Sequence, residues 1–467
     1  MQFPGLNSWM PPMAYTIKVL VGFYFLYVYT VVYGNGALSA DAGAFMKESA
    51  VINHIFFESP SDYFKFLFGI GDNQVLIDQY LVKTSHWDSG AQAIISDNRN
   101  ILRIHSLIHF FSFGYTSIHV LIMCFISLIG LNQLYKSLRA HTAIKDIYLF
   151  LILLLFPSIL FWTSGILKEP ILLLGIGLFV RSILGSDSLR KKLTLGLIAL
   201  ILLIGFKPYV LLAAVPSLVF YTLYHFFPKL KVLGVTVIMA LCLFIFSWMF
   251  KPQINHVVHI FSQKQFDFKN VGKGGLHAGD YTRFYFFQPE QIESLEFKGD
   301  SVRLKREMDV HILRHGSMEP PIKVHLKPTD KWWFIYFQNV KSDGYIDLTM
   351  IHNSPKQMIL NIPEALVNSL FRPFFFDPGS WLKYPAMLES IALFLFLVFS
   401  ILNRRILNKK DVNLVVSIAI FVISLSLIIG WVTPVLGAIV RYRIPAYLGI
   451  LIIALLIIKP KNNLNNE

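Results

Sequence analysis

Charged side chains stand at the ends of long apolar runs in this chain, where a charge is costly unless it is used. Asp41 follows the first run, Lys168 and Glu169 join the third to the fourth, and Lys207 joins the fifth to the sixth. Arg99 and Arg103 approach the second run, Arg372 and Asp377 precede the eighth, and Arg441 and Arg443 precede the tenth. Converging Arg and Lys suit a phosphate, because a guanidinium forks phosphate oxygens and an ammonium adds a point charge. A carboxylate at the mouth of such a site can act as general base on an acceptor hydroxyl, or orient a sugar hydroxyl. Cations that stabilise charge building on a leaving phosphate complete the minimum equipment for moving a sugar off a polyprenyl phosphate. The plain alternative for each cation alone is interfacial anchoring by a snorkelling side chain.

The elements that must hold these groups are membrane spans. Of 467 residues, 55% are hydrophobic and 15% charged, with a mean hydropathy of +0.56. Soluble domains are about one quarter charged, so one or two such domains are excluded. Ten apolar runs have, or approach, the length of a crossing. They are 15–33, 110–131, 147–162, 171–183, 193–206, 210–224, 232–250, 387–402, 414–431 and 444–458. The third to fifth are short, and the pair around Lys168 fits a re-entrant hairpin as well as two crossings. The first run reads as a retained signal-anchor rather than a cleaved signal peptide.

Charge sorts by side. With the N-terminus inside and spans alternating, the inward segments hold fifteen Lys and Arg against four Asp and Glu, a balance of +11 out of the chain's +14. The outward segments 35–106 and 251–386 balance at −3 and +3. Both termini are therefore expected inside, and the excess charge reads as orientation, not as a nucleic-acid surface. The candidate cations then share the outer side, where the same rule predicts few of them. The expected organisation is a membrane region 1–250 holding seven spans, a soluble module 251–386, and a membrane region 387–467 holding three. Stretches 51–57 and 63–70 within the loop 35–106 read as helices lying on the membrane. Turn signals at 272–275 and 342–344, with alternating patches at 301–304 and 322–326, predict a small α+β or β-rich module. The expected class is thus an all-α polytopic membrane protein of about ten transmembrane helices with that insertion.

Cys124 and Cys242 lie in apolar runs and read as packing residues. His105, His109, His119, His256 and His259 are scattered without ligand spacing, so no metal site is expected, although a divalent ion assisting the phosphate is left open. No Gly-rich nucleotide loop or internal repeat is present, and the only biased tract is the Asn-rich tail. The segment 156–170 reads as a helix–turn–helix corner, with Gly165 at the turn and Pro170 at the first helical position. Arg441 and Arg443, two positions apart, point to different helix faces, so one of them is expected to enter a site.

Four segments carry a family likeness: Ser39-Ala40-Asp41-Ala42-Gly43-Ala44-Phe45, Phe161-Trp162-Thr163-Ser164-Gly165-Ile166-Leu167-Lys168-Glu169, Phe371-Arg372-Pro373-Phe374 and Arg441-Tyr442-Arg443-Ile444-Pro445. In them the chain resembles the integral-membrane glycosyltransferases of the GT-C fold class, in particular bacterial members that use lipid-linked sugars. The resemblance implies a helical membrane fold, a polyprenyl-phosphate sugar donor, a glycan or lipid acceptor, and an active site on the periplasmic face of the bacterial inner membrane. It also implies that Asp41 stands where the family has its first-loop catalytic acid. Many members carry two close acids there. Here Ala42 and Gly43 follow, which leaves Glu48 and Glu169 as substitutes. Lys168, Glu169, Lys207, Arg103, Arg372, Arg441 and Arg443 are the expected substrate-binding set. Competing readings are an O-antigen polymerase or ligase acting on polyprenyl-pyrophosphate glycans, a transporter or flippase of lipid-linked saccharides, and a non-catalytic assembly component. A transporter should bury its charges near mid-membrane, whereas these gather at one boundary.

Overall fold

The computed structural model describes all residues except 71–73, 82–83, 85, 88–95, 228, 281–282, 314–321, 340 and 460–467. The Asn-rich tail, with Lys461 and Glu467 of the inward charge balance, lies outside the described residues. The protein is mostly helical with one antiparallel sheet. It divides into two compact units, Met1–Val215 with Phe396–Val415 and Leu448–Glu467, and Pro216–Leu395 with Val416–Tyr447.

In the first unit the chain runs through α1 (Met10–Tyr27), continued by a π turn to Val32, then α2 (Ala40–Glu58), α3 (Pro60–Phe68), α4 (Gln74–Tyr80) and α5 (Asp97–Ser112). It goes on through α6 (Thr116–Leu138), α7 (Asp146–Leu155), α8 (Pro157–Trp162), α9 (Glu169–Leu184), α10 (Leu189–Phe206) and the start of α11 (Pro208–Phe226). α2 packs on α5, and α9 on both α6 and α10. The α6–α9 crossing is close because glycines face it. A Cβ at Gly177 would stand 2.2 Å from the Gly130 carbonyl oxygen, and one at Gly130 would meet the Leu173 backbone at 2.6 Å. Small residues at such a crossing let two helix backbones approach in a membrane. The corner at 156–170 forms as expected, with Pro170 in the first turn of α9. Gly165 is needed there because the ring of Phe25, itself fully buried, lies 2.8 Å from where a Cβ would be.

The second unit holds α12 (Val232–Met249), α13 (Lys251–Lys273), the sheet, α14 (Pro355–Leu360), α15 (Ile362–Leu370), most of α16 (Lys383–Leu402) and α17 (Lys409–Val432), α18 (Leu436–Tyr442) and the first turn of α19 (Ile444–Ile457). The strands are β1 (Gly275–Asp280), β2 (Arg283–Phe287), β3 (Leu295–Lys298), β4 (Ser301–Leu304), β5 (Met308–Leu313), β6 (Ile322–Leu326) and β7 (Trp333–Asn339). They form one antiparallel sheet in the order β3-β4-β7-β1-β2-β5-β6. Alternation buries Leu276, Ala278, Val302, Leu304, Val310 and Trp333 in one cluster, as a half-covered antiparallel sheet requires. Residues 251–386, expected as a soluble module, belong to the second unit. Backbone bonds from Ile346 to Pro434 (2.7 Å) and Leu436 to Gly344 (2.9 Å) stitch them to the segment at the start of α18.

All ten apolar runs are helical, but fewer can cross a bilayer alone. Among the described residues, five helices are long and apolar enough: Met10–Val32, Thr116–Leu138, Pro208–Phe226, Lys383–Leu402 and Lys409–Val432. A sixth span is made if α18 and α19, bent by 49°, count as one. The shortfall has local causes. Pro157 breaks the third run into α7 and α8. α9 has 16 residues, about 24 Å of rise against a core of roughly 30 Å. α10 begins on Arg190, Lys191 and Lys192. The second run also starts later than expected, because Phe113 and Gly114 take positive φ and separate α5 from α6.

Asp267, on α13 away from the candidate spans, has its carboxyl pushed up to about 6 by burial, against the smaller opposing effect of Lys264. Between the unfolded value near 4 and about 6 the folded state holds the extra proton. Stability should therefore fall as pH rises through that window and level off above it. Asp267→Asn should flatten this slope, as read from unfolding midpoints against pH.

Candidate functional site

The expected site residues fall into two groups. Asp41, Arg103, Lys168, Glu169 and Lys207 belong to the first unit, and Arg372, Arg441 and Arg443 to the second.

In the first unit three helix ends meet. Ser96 caps α5, its hydroxyl accepting from the Arg99 amide at 3.4 Å, so that Asp97 sits in the first turn, where the helix dipole favours a carboxylate. Lys168, at the N-cap of α9, donates to Asp97 Oδ2 at 2.6 Å and to the Asn98 carboxamide oxygen. Its ammonium also lies 5.6 Å from the ring centre of Phe45 on α2. Glu169 turns the other way, 3.5 Å from the ammonium of Lys207 at the end of α10, and both are buried. Adjacent Lys168 and Glu169 thus reach partners on two different helices rather than each other. Burial raises the Asp97 carboxyl, but Lys168 and Lys207 beside it outweigh this and hold it below the usual carboxylate range. Asp97 therefore stays ionised at neutral pH. The stability it confers is lost only as pH falls below the ordinary value near 4 and through the folded one.

Asp41 lies half-buried in the first turn of α2, one turn before Phe45 and on the same helix face. The turn before it is fixed by Ser39, whose amide and hydroxyl both donate to the Tyr29 carbonyl, at 3.1 and 2.7 Å. Glu48 accepts from the His86 amide at 3.1 Å and pairs with its Nδ1 at 2.9 Å, so this substitute acid is engaged by a neighbouring segment.

Arg103 does not join the cluster as expected. It donates to the Phe66 carbonyl at 2.8 Å and to Asn100 Oδ1 at 2.7 Å, and lies against the Trp87 ring with Arg99. Asn100 in turn donates to the Gly205 carbonyl at 2.8 Å, two residues before Lys207. Buried Arg103 thus supports the end of α10 through Asn100.

In the second unit Arg443, expected in the substrate-binding set, is wholly buried. The last carbonyls of α15 lack intrahelical partners. Arg443 donates to the carbonyls of Ser369 (3.4 Å), Arg372 and Ala386 (3.5 Å) and to Ser390 Oγ (3.0 Å). Tyr447, 4.1 Å below its guanidinium, donates to the Leu370 carbonyl at 2.7 Å. Arg372, half-buried, pairs with buried Asp377 at 3.1 Å. Arg441 is also half-buried, its guanidinium 5.1 Å from the ring centre of Tyr442. Of the two arginines, Arg441 is the one left accessible.

No family model, curated protein or solved structure matches the chain. Its residues must speak for themselves, and three features escaped the sequence reading. Asp97 and Asn98 were hidden in a long loop, although Ser96-Asp97-Asn98 is a helix-start signal. Lys18, outside the expected site set, is buried within the first span and donates to Thr163 Oγ1 at 2.8 Å. The scattered histidines His105 and His119 meet at 3.0 Å, with His109 packed on His119. Among the described residues, no group of three or more His, Cys, Asp or Glu is arranged to hold a metal ion.

Proposed function

We propose that the chain is a GT-C-like membrane glycosyltransferase that moves a sugar from a polyprenyl-phosphate donor to an acceptor in cell-surface polysaccharide or glycolipid synthesis. The observation that carries this reading is the cluster of Lys168, Asp97, Glu169 and Lys207 at the ends of three helices in an apolar bundle, beside the Asp41–Phe45 face of α2. Lys168 binds the donor phosphate, exchanging Asp97 for it. The Glu169–Lys207 pair keeps a second positive charge beneath. Asp41 takes the proton of the acceptor hydroxyl as its oxygen attacks the anomeric carbon. The bond from that carbon to the phosphate oxygen breaks, and the charge left on the phosphate falls to Lys168. On the second unit, Arg372 and Arg441, both half-buried, are phosphate candidates in their own right.

The setting proposed is the bacterial inner membrane, with termini inside and the site on the periplasmic face. The basic short inward loops of the ten-run alternation support it. The test uses purified protein in nanodiscs with a panel of polyprenyl-phosphate sugars, following release of polyprenyl phosphate. Donor consumption is expected. No turnover, together with unchanged surface glycan in cells lacking the protein, contradicts the reading. Turnover of pyrophosphate-linked glycans that survives Asp41→Asn selects a polymerase or ligase instead.

A further inference from the structure

Residues 355–384 hold exposed apolar side chains around a buried carboxylate, Asp377. Phe375, Phe376 and Trp381 are 71%, 80% and 58% exposed, and Ile359 and Leu360 on α14 also stand in the open. Beneath them the loop is tied together by polar groups. Asp377 is buried, accepts from the Phe374 amide at 2.6 Å and pairs with Arg372, while Lys383 donates to its backbone carbonyl. The aromatics are therefore held out by a fixed frame. A water-soluble surface does not ordinarily carry so large an apolar patch.

What covers the patch follows from its continuity with α16. That helix is one of the candidate spans, and its exposed residues Leu388, Ile391, Leu395, Val398 and Leu402 recur at steps of three and four along one face. One turn earlier on that face is Tyr384, also exposed, and Trp381, Phe376 and Phe375 lead on from it. Trp and Tyr gather at the headgroup level of a bilayer, and short amphipathic helices lie in the same layer.

We propose that residues 355–384 form an interfacial ledge docked on the lipid surface, with Phe375, Phe376 and Trp381 seated at the headgroup–acyl boundary. The stretch belongs to the membrane and not to the water-soluble insertion. Its partner is the bilayer itself, and the proposal does not depend on any sugar chemistry. It also sets Arg372 at the depth of lipid phosphates.

The test is spin-label accessibility in liposomes of full-length protein carrying Cys242→Ser, with buried Cys124 retained. A nitroxide is attached at Phe376→Cys or, separately, at Trp381→Cys. A reference label sits at Asp330→Cys, whose native side chain is fully exposed before β7. The ledge labels should collide several-fold more with oxygen than with a water-soluble nickel chelate, at a depth of about 5–10 Å below the headgroups. The reference label should favour the chelate. Chelate access at 376 and 381 equal to that at 330 overturns the proposal. Protection from both quenchers overturns it too, since that means protein covers the patch.

Discussion

Exchanging Lys168 for alanine is expected to lower glycan transfer by about a hundredfold or more, the usual cost of losing a donor that stabilises developing charge. Protein abundance and unfolding temperature should stay near normal. The physical reason is where the partner sits. Asp97 is 41% exposed at the side chain, so water can replace the lost ammonium, and an ion pair with one solvated member contributes little to stability. If the pair were only a staple between α5 and α9, Asp97→Asn and Lys168→Ala would lower the unfolding temperature alike, with activity following folded amount. Transfer rate normalised to folded protein, alongside thermal unfolding in detergent, separates the two. Glu169→Ala should behave differently. It breaks an ion pair whose two members are both buried, at a cost of about 3–5 kcal/mol.

The second large effect is on stability. Arg443→Ala should destabilise the second unit by about 3 kcal/mol or more, because each buried acceptor left unpaired costs about 1–3 kcal/mol. The carbonyls of Ser369 and Arg372 lose the Arg443 donor, and Tyr447 loses the cation over its ring. Lysine should rescue only part of this, since one ammonium cannot reproduce the planar fork. Arg441→Ala, two residues away and half-buried rather than wholly buried, should lower the unfolding temperature less than Arg443→Ala. Thermal unfolding of the three variants checks this ordering, and equal losses at 441 and 443 would contradict it.

These two sites show what the amino-acid order reveals and what it hides. Local rules carried well. The strands Ser301–Leu304 and Ile322–Leu326 lie where alternation put them. The helix-to-strand turn falls at Gly274 and Gly275, both with positive φ, and the 156–170 corner closes on Gly165 and Pro170. What failed was partner choice over long sequence distances. Nothing near Arg443 announces that its acceptors are carbonyls more than fifty residues earlier. Nothing near Lys168 points to Asp97, because the residues between Asp41 and the second run were read as one loop although α5 fills its end. Span counting failed for a related reason. Hydropathy registers an apolar run, but Pro157 and the Phe113-Gly114 break decide whether that run is one rod.

The central claim is that Lys168 holds a lipid-linked phosphate. Its most direct test is the binding of a short-chain polyprenyl phosphate to purified protein in nanodiscs, set against the phosphate-free alcohol. Wild type should bind the phosphate and not the alcohol, and Lys168→Ala should lose that preference while remaining folded. Equal binding of the phosphate by wild type and Lys168→Ala, or equal binding of the two lipids by wild type, would contradict it.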